Sequence, residues 1–90
     1  MTILIVDDHP IVLKGIHALM ASSFAEARIM DAAGIKEAEQ MLNRHKVDIL
    51  ITDLDLNGES GSMLIEHVRD VQPATQVVVY TMHEEPWAVG

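Results

Sequence analysis

Cysteine is absent from this chain, which excludes a disulfide framework and any thiolate nucleophile or metal ligand. Aromatic residues are nearly absent: Phe24, Tyr80 and Trp87 are the whole set, so the core must be aliphatic. Positive charge is scarce as well. Six Lys and Arg stand against fourteen Asp and Glu, a formal net charge of -8. Phosphate contacts need cationic side chains, so direct nucleic-acid binding and docking on anionic membranes are both disfavoured. No apolar run approaches the roughly twenty residues of a membrane-spanning helix. The N-terminus also lacks the basic-then-apolar pattern of a signal peptide. A soluble, cytoplasmic protein is the expectation. What the chain does have is a 49% share of hydrophobic residues in 90 positions, enough for a core and for one domain at most.

Apolar runs and helical periodicities alternate along the chain, with no linker or low-complexity segment between them. Residues 3–7 form a short apolar run that reads as a buried strand. Pro10 suits the first turn of a helix, with Asp8 or His9 as its cap, and Val12, Ile16, Leu19 and Met20 recur at helical spacing to about residue 21. Ala27–Asp31 is a weaker strand. Gly34 opens a second helix to about His45, with Ile35, Ala38, Met41 and Leu42 on one face. Val47–Thr52 is another continuous apolar strand. Asn57-Gly58 and Gly61 mark a loop, after which Ser60 or Ser62 caps a helix carrying Leu64, Ile65 and Val68. Gln76–Tyr80 is a strand rich in β-branched residues, and Pro86 starts a further helix. This βαβαβαβα order, with continuous apolar strands, predicts an α/β fold whose parallel sheet is covered by helices on both faces.

In such a sheet, sites form beyond the carboxyl ends of the strands. Asp7 and Asp8 end the first strand, Asp53 ends the Val47–Thr52 strand, and Thr81 ends the Gln76–Tyr80 strand. An aspartate after a strand is, on its own, most often a helix cap or a loop residue, and Thr81 is an ordinary strand residue. Three carboxylates at one sheet edge are different, because they repel one another unless a cation lies between them. Mg²⁺ fits that demand, since it takes oxygen ligands and keeps several waters. Asp53 is then a candidate nucleophile towards a phosphoryl group, and the Thr81 hydroxyl a candidate donor to a phosphoryl oxygen. The five histidines show no metal-ligand spacing. His9 and His83 are expected near the rim of the site, and His17, His45 and His67 on helix surfaces.

The runs Ile5-Val6-Asp7-Asp8-His9-Pro10, Ile51-Thr52-Asp53-Leu54-Asp55-Leu56-Asn57-Gly58 and Tyr80-Thr81-Met82-His83 resemble a response-regulator receiver domain, of the subgroup that precedes a LuxR-type helix-turn-helix domain. The resemblance covers the whole chain in the right order and implies one receiver domain over residues 1–90 with a flavodoxin-like sheet. It implies that a sensor histidine kinase donates a phosphoryl group to Asp53. It also implies that Asp8 and Asp53 bind Mg²⁺ directly, that Asp7 acts mainly through water, and that Asp55 contributes its backbone carbonyl. Thr81 would be the switch hydroxyl whose movement relays phosphorylation to transcription.

Against that family, Asn57 stands where proline is common. Four strands are expected here; a fifth strand bearing a lysine, a fifth helix and a DNA-binding domain are expected to be missing. Such a truncation would leave Gln76–Tyr80 as an exposed sheet edge. We therefore expect impaired phosphorylation and a homo-oligomer formed through that edge or by swapped elements. Two other functions compete. One is a phosphorylation-independent interaction fragment, which would be indifferent to Asp53→Asn. The other is a phosphatase, because Asp53-Leu54-Asp55 resembles the nucleophile motif of the haloacid-dehalogenase type. Asn57 and the acid pair at Asp7-Asp8 depart from that type.

Overall fold

The computed structural model describes residues 1–56 and 58–81. The expected helix at Pro86, the rim position of His83 and the turn role of Asn57 lie outside them. The elements run β1 (Thr2–Val6), α1 (Pro10–Ser23), β2 (Arg28–Ala32), α2 (Ile35–Arg44), β3 (Ile49–Asp53), β4 (Asp55–Leu56), β5 (Glu59–Ser60), α3 (Ser62–Val71) and β6 (Gln76–Tyr80). Four strands form one parallel sheet in the order β2-β1-β3-β6, as the alternating pattern predicts. The short antiparallel pair β4–β5 was not expected. It folds the loop after Asp53 back on itself, with Gly58 in the left-handed region at φ 79°.

Helices cover both faces. Side chains alternate across a strand, so Leu4, Val6 and Leu50 face α2 and α3. There they pack with Ile35, Ala38 and Leu42 from α2 and with Leu64 and Val68 from α3. Ile3, Ile5 and Ile51 face the other way, against Leu13, Ile16 and Met20 of α1. Each buried aliphatic side chain stabilises the fold by ~1.5–3 kcal/mol through leaving water. The α2/α3 side is the larger core, because no residue of α1 is fully buried.

Two local expectations are corrected and one is qualified. His9 holds the N-cap position of α1 in extended backbone, as expected, but without a side-chain cap hydrogen bond, because its imidazole turns towards Asp7 and Asp8 instead. Gly61, not Ser60 or Ser62, is the N-cap of α3; Ser60 still accepts the Ser62 amide through its hydroxyl at 3.2 Å. β3 starts at Ile49 rather than Val47. The Val47 amide donates to Gln72 Oε1 at 2.7 Å, and the Gln72 side-chain amide donates to the carbonyls of Leu42 and His45 at 2.7 and 2.6 Å. One glutamine thus satisfies the Val47 amide and two carbonyls at the C-terminal end of α2.

Candidate functional site

Strand register builds the site. Val6 of β1 pairs with Thr52 of β3, and Asp53 pairs with Tyr80 of β6. Asp7, one residue past β1, therefore stands level with Asp53 and Tyr80 in a single row across three strands. By alternation, the three side chains share the face of Ile3, Ile5 and Ile51, the face that α1 covers. The Asp7 amide continues the ladder to the Ala32 carbonyl at 3.1 Å, and the Leu54 amide donates to the Tyr80 carbonyl at 2.8 Å. The row is thus held by backbone pairing at both ends.

Asp7 is 0% exposed and Asp53 2%. Buried carboxylates need donors. Asp7 Oδ1 accepts the His9 backbone N–H at 2.7 Å and lies 2.9 Å from His9 Nδ1; Asp7 Oδ2 accepts the Tyr80 hydroxyl. His9 Nδ1 is also 3.1 Å from Asp8 Oδ1. Asp53 Oδ1 accepts the Asp55 amide at 3.1 Å, which fixes the rotamer of the expected nucleophile. The hydrogen bond to Asp7 and then the charge of Asp8 hold the His9 pKa above its ordinary 6.5, with the charges of Asp7 and Asp53 adding to the effect. Burial, followed by the bond to Asp7 and the three carboxylates, pushes the Tyr80 phenol well above its ordinary 10.

Asp7, Asp8, His9 and Asp53 each offer one ligand atom, and these atoms all lie within 4.8 Å of one another. Three of the four are carboxylates, hard oxygen donors of the kind that Mg²⁺ selects. Asp7 and Asp53 are buried, so their crowding calls for a compensating cation. The residues present therefore fit the metal that the sequence implies.

Of the residues expected at the site, Asp7, Asp8 and Asp53 are brought together. Asp55 is exposed in β4 and touches Asp53 through its amide. Thr81 follows β6 directly and is exposed. His9 is more than a rim residue, since its imidazole bridges the acid pair. His17 instead ties α1 to Asp31 of β2 at 2.8 Å, and His67 ties α3 to Asn43 of α2 at 3.1 Å. His45 is the C-cap of α2 rather than a face residue.

Two further contributors carry no sign of their role in the sequence: Tyr80 ends a strand and opens a family run, and Gly61 marks a loop. A Cβ on Gly61 would lie 2.6 Å from the Asp53 carbonyl oxygen and 3.1 Å from that of Leu54. The Gly61 amide donates to the Leu54 carbonyl at 2.6 Å. The start of α3 is thus pressed onto the peptide that carries Asp53, and only glycine leaves room for the approach.

The sequence matches the model of the response regulator receiver domain over residues 3–89. The chain belongs to that family. The receiver is 35% identical over 86 residues to the methanol utilization control regulatory protein MoxX of Paracoccus denitrificans, covering 93% of this chain and 38% of that protein. It is 33% identical to the oxygen regulatory protein NreC of Staphylococcus haemolyticus, covering 94% of this chain and 40% of that one. The chain thus spans about two fifths of the length of the curated relatives it matches. Among solved structures, a LuxR-family two-component response regulator from Aurantimonas superposes with a TM-score of 0.81 at 32% identity, over 98% of this receiver and 64% of that chain. The resemblance to LuxR-type receivers and the flavodoxin-like fold are both borne out.

Proposed function

We propose that Asp53 accepts a phosphoryl group from the phosphohistidine of a sensor histidine kinase, in a Mg²⁺-dependent transfer. One observation carries the reading: carboxylates from two strands, far apart in sequence, converge within 4.8 Å at the carboxyl edge of the sheet, beside a buried aspartate. An Asp53 carboxylate oxygen attacks phosphorus and forms a P–O bond. The P–N bond of the donor breaks, and its imidazole departs with the electron pair. The product is an acyl phosphate on Asp53.

Asp8 and Asp53 would hold the metal directly, Asp7 mainly through water, and Asp55 through its backbone carbonyl. When bound, Mg²⁺ neutralises charge between the carboxylates and the incoming phosphoryl oxygens. The chain's own residues do the positioning. The Asp55 amide fixes Asp53, β3–β6 pairing keeps Tyr80 level with it and so carries Thr81 one residue beyond, and α1 shields the row from one face. The Thr81 hydroxyl would donate to a phosphoryl oxygen and so sense the modification. With a net charge of -8, this part is read as the controlling input to transcription, acting in the cytoplasm, rather than as a DNA-contacting surface.

Intact mass after incubation with a small-molecule phosphodonor tests the reading. A single phosphoryl adduct is expected, dependent on Mg²⁺ and abolished by Asp53→Asn. A folded sample that takes up no phosphoryl group would instead support a phosphorylation-independent interaction role, and steady turnover of a phosphate ester would support a phosphatase.

A further inference from the structure

Tyr80 reaches the acidic edge from the far side of the sheet. It lies 73 residues from Asp7 in sequence and two strands away, a span on the order of 10 Å between backbones. Its ring crosses the row over β3, packing against the Ile3, Ile5 and Ile51 cluster, and its hydroxyl donates to Asp7 Oδ2. Asp7 Oδ1 takes its donors from His9, and His9 Nδ1 also faces Asp8 Oδ1. The two oxygens of Asp7 thus have separate duties: Oδ1 belongs to the shared acidic cluster, and Oδ2 belongs to Tyr80.

We propose that Tyr80 is a positioning residue of the metal site, a hydroxyl brace that fixes the plane of the Asp7 carboxylate. The brace presents Oδ1 to the cation and its waters and stays in place when the cation arrives, because it occupies the other oxygen. The inference rests on the reading of the acidic edge as a Mg²⁺ site. A carboxylate held by one oxygen can turn about its Cβ–Cγ bond, and outer partners of this kind set how well a ligand is oriented. Tyr80 also directly precedes Thr81, so the brace ties the metal-binding carboxylate to the backbone that carries the expected switch hydroxyl.

The test is Mg²⁺ titration calorimetry on the chain, on Tyr80→Phe, on Asp7→Asn and on the double variant. Tyr80→Phe keeps the ring that packs on the isoleucines, and it is expected to weaken Mg²⁺ binding about tenfold. In the Asp7→Asn background the same change should have no further effect, since the brace acts through Asp7. Unchanged or tighter binding by Tyr80→Phe, or an equal loss in both backgrounds, overturns the proposal. A parent chain that binds no Mg²⁺ overturns both this inference and the metal-site reading, which separates the two failures. A second measurement needs no variant. Tyr80 is the sole tyrosine, so the ultraviolet Raman bands of its phenol report one hydroxyl. They should show a strong donor both without and with Mg²⁺, and loss of the donor signature on Mg²⁺ addition overturns the proposal.

Discussion

His9 is the residue whose behaviour most directly reports the state of the site. Its folded pKa is raised, so its contribution to stability is fully present below 6.5 and is lost as pH rises through the higher folded value. The side chain is 58% exposed, so solvent screens the effect and the readout is the titration itself rather than stability. The expected outcome is an NMR titration of His9 with a midpoint above 6.5 in metal-free protein, and a lower midpoint once Mg²⁺ shares the carboxylates. A midpoint indifferent to Mg²⁺ would argue against a shared cation. The acids themselves were legible in the sequence, because each ends an apolar run and parallel strands must deliver such ends to one edge. His9 and Tyr80 were less so. Neither sits in a ligand spacing, and both acquire their roles from the register between strands, which one sequence does not state.

At the scale of elements, the junction between β3 and α3 is the most constrained. Gly61→Ala places a methyl carbon against the carbonyls of Asp53 and Leu54, at a site where backbone faces backbone and no flexible side chain can yield. We expect a loss of about 1–3 kcal/mol in denaturant unfolding, as for overpacked sites. Phosphoryl uptake should also be slower, because the peptide carrying Asp53 must move. Wild-type stability and uptake in that variant would show that α3 can retreat without cost. The helices and strands were largely readable from periodicity, as β1, α1, α2 and β6 show. The boundary of β3 was not, since the side chain of Gln72 takes over the Val47 amide. The β4–β5 pair has two residues per strand, too few for any period to appear.

At the scale of the molecule, the sheet has an uneven edge. Among the described residues β6 pairs only with β3, and Val78 and Val79 are 48% and 43% exposed on opposite faces. The strand Gln76–Tyr80 carries no charged residue to discourage pairing with another chain. We expect concentration-dependent self-association in sedimentation, reduced by Val78→Lys, which places a charge on that edge. Monomeric behaviour across the concentration range would count against association through β6.

The row of Asp7, Asp53 and Tyr80 carries a consequence for strand pairing itself. A one-residue slip of β6 against β3 would turn Tyr80 to the opposite face and leave Asp7 without its donor. The misaligned sheet would keep most of its backbone bonds and much of its aliphatic contact, yet it would hold a buried, underprovided carboxylate. The acidic edge thus acts as a proofreader of alignment: the carboxylate row proposed for phosphoryl transfer also penalises the wrong register.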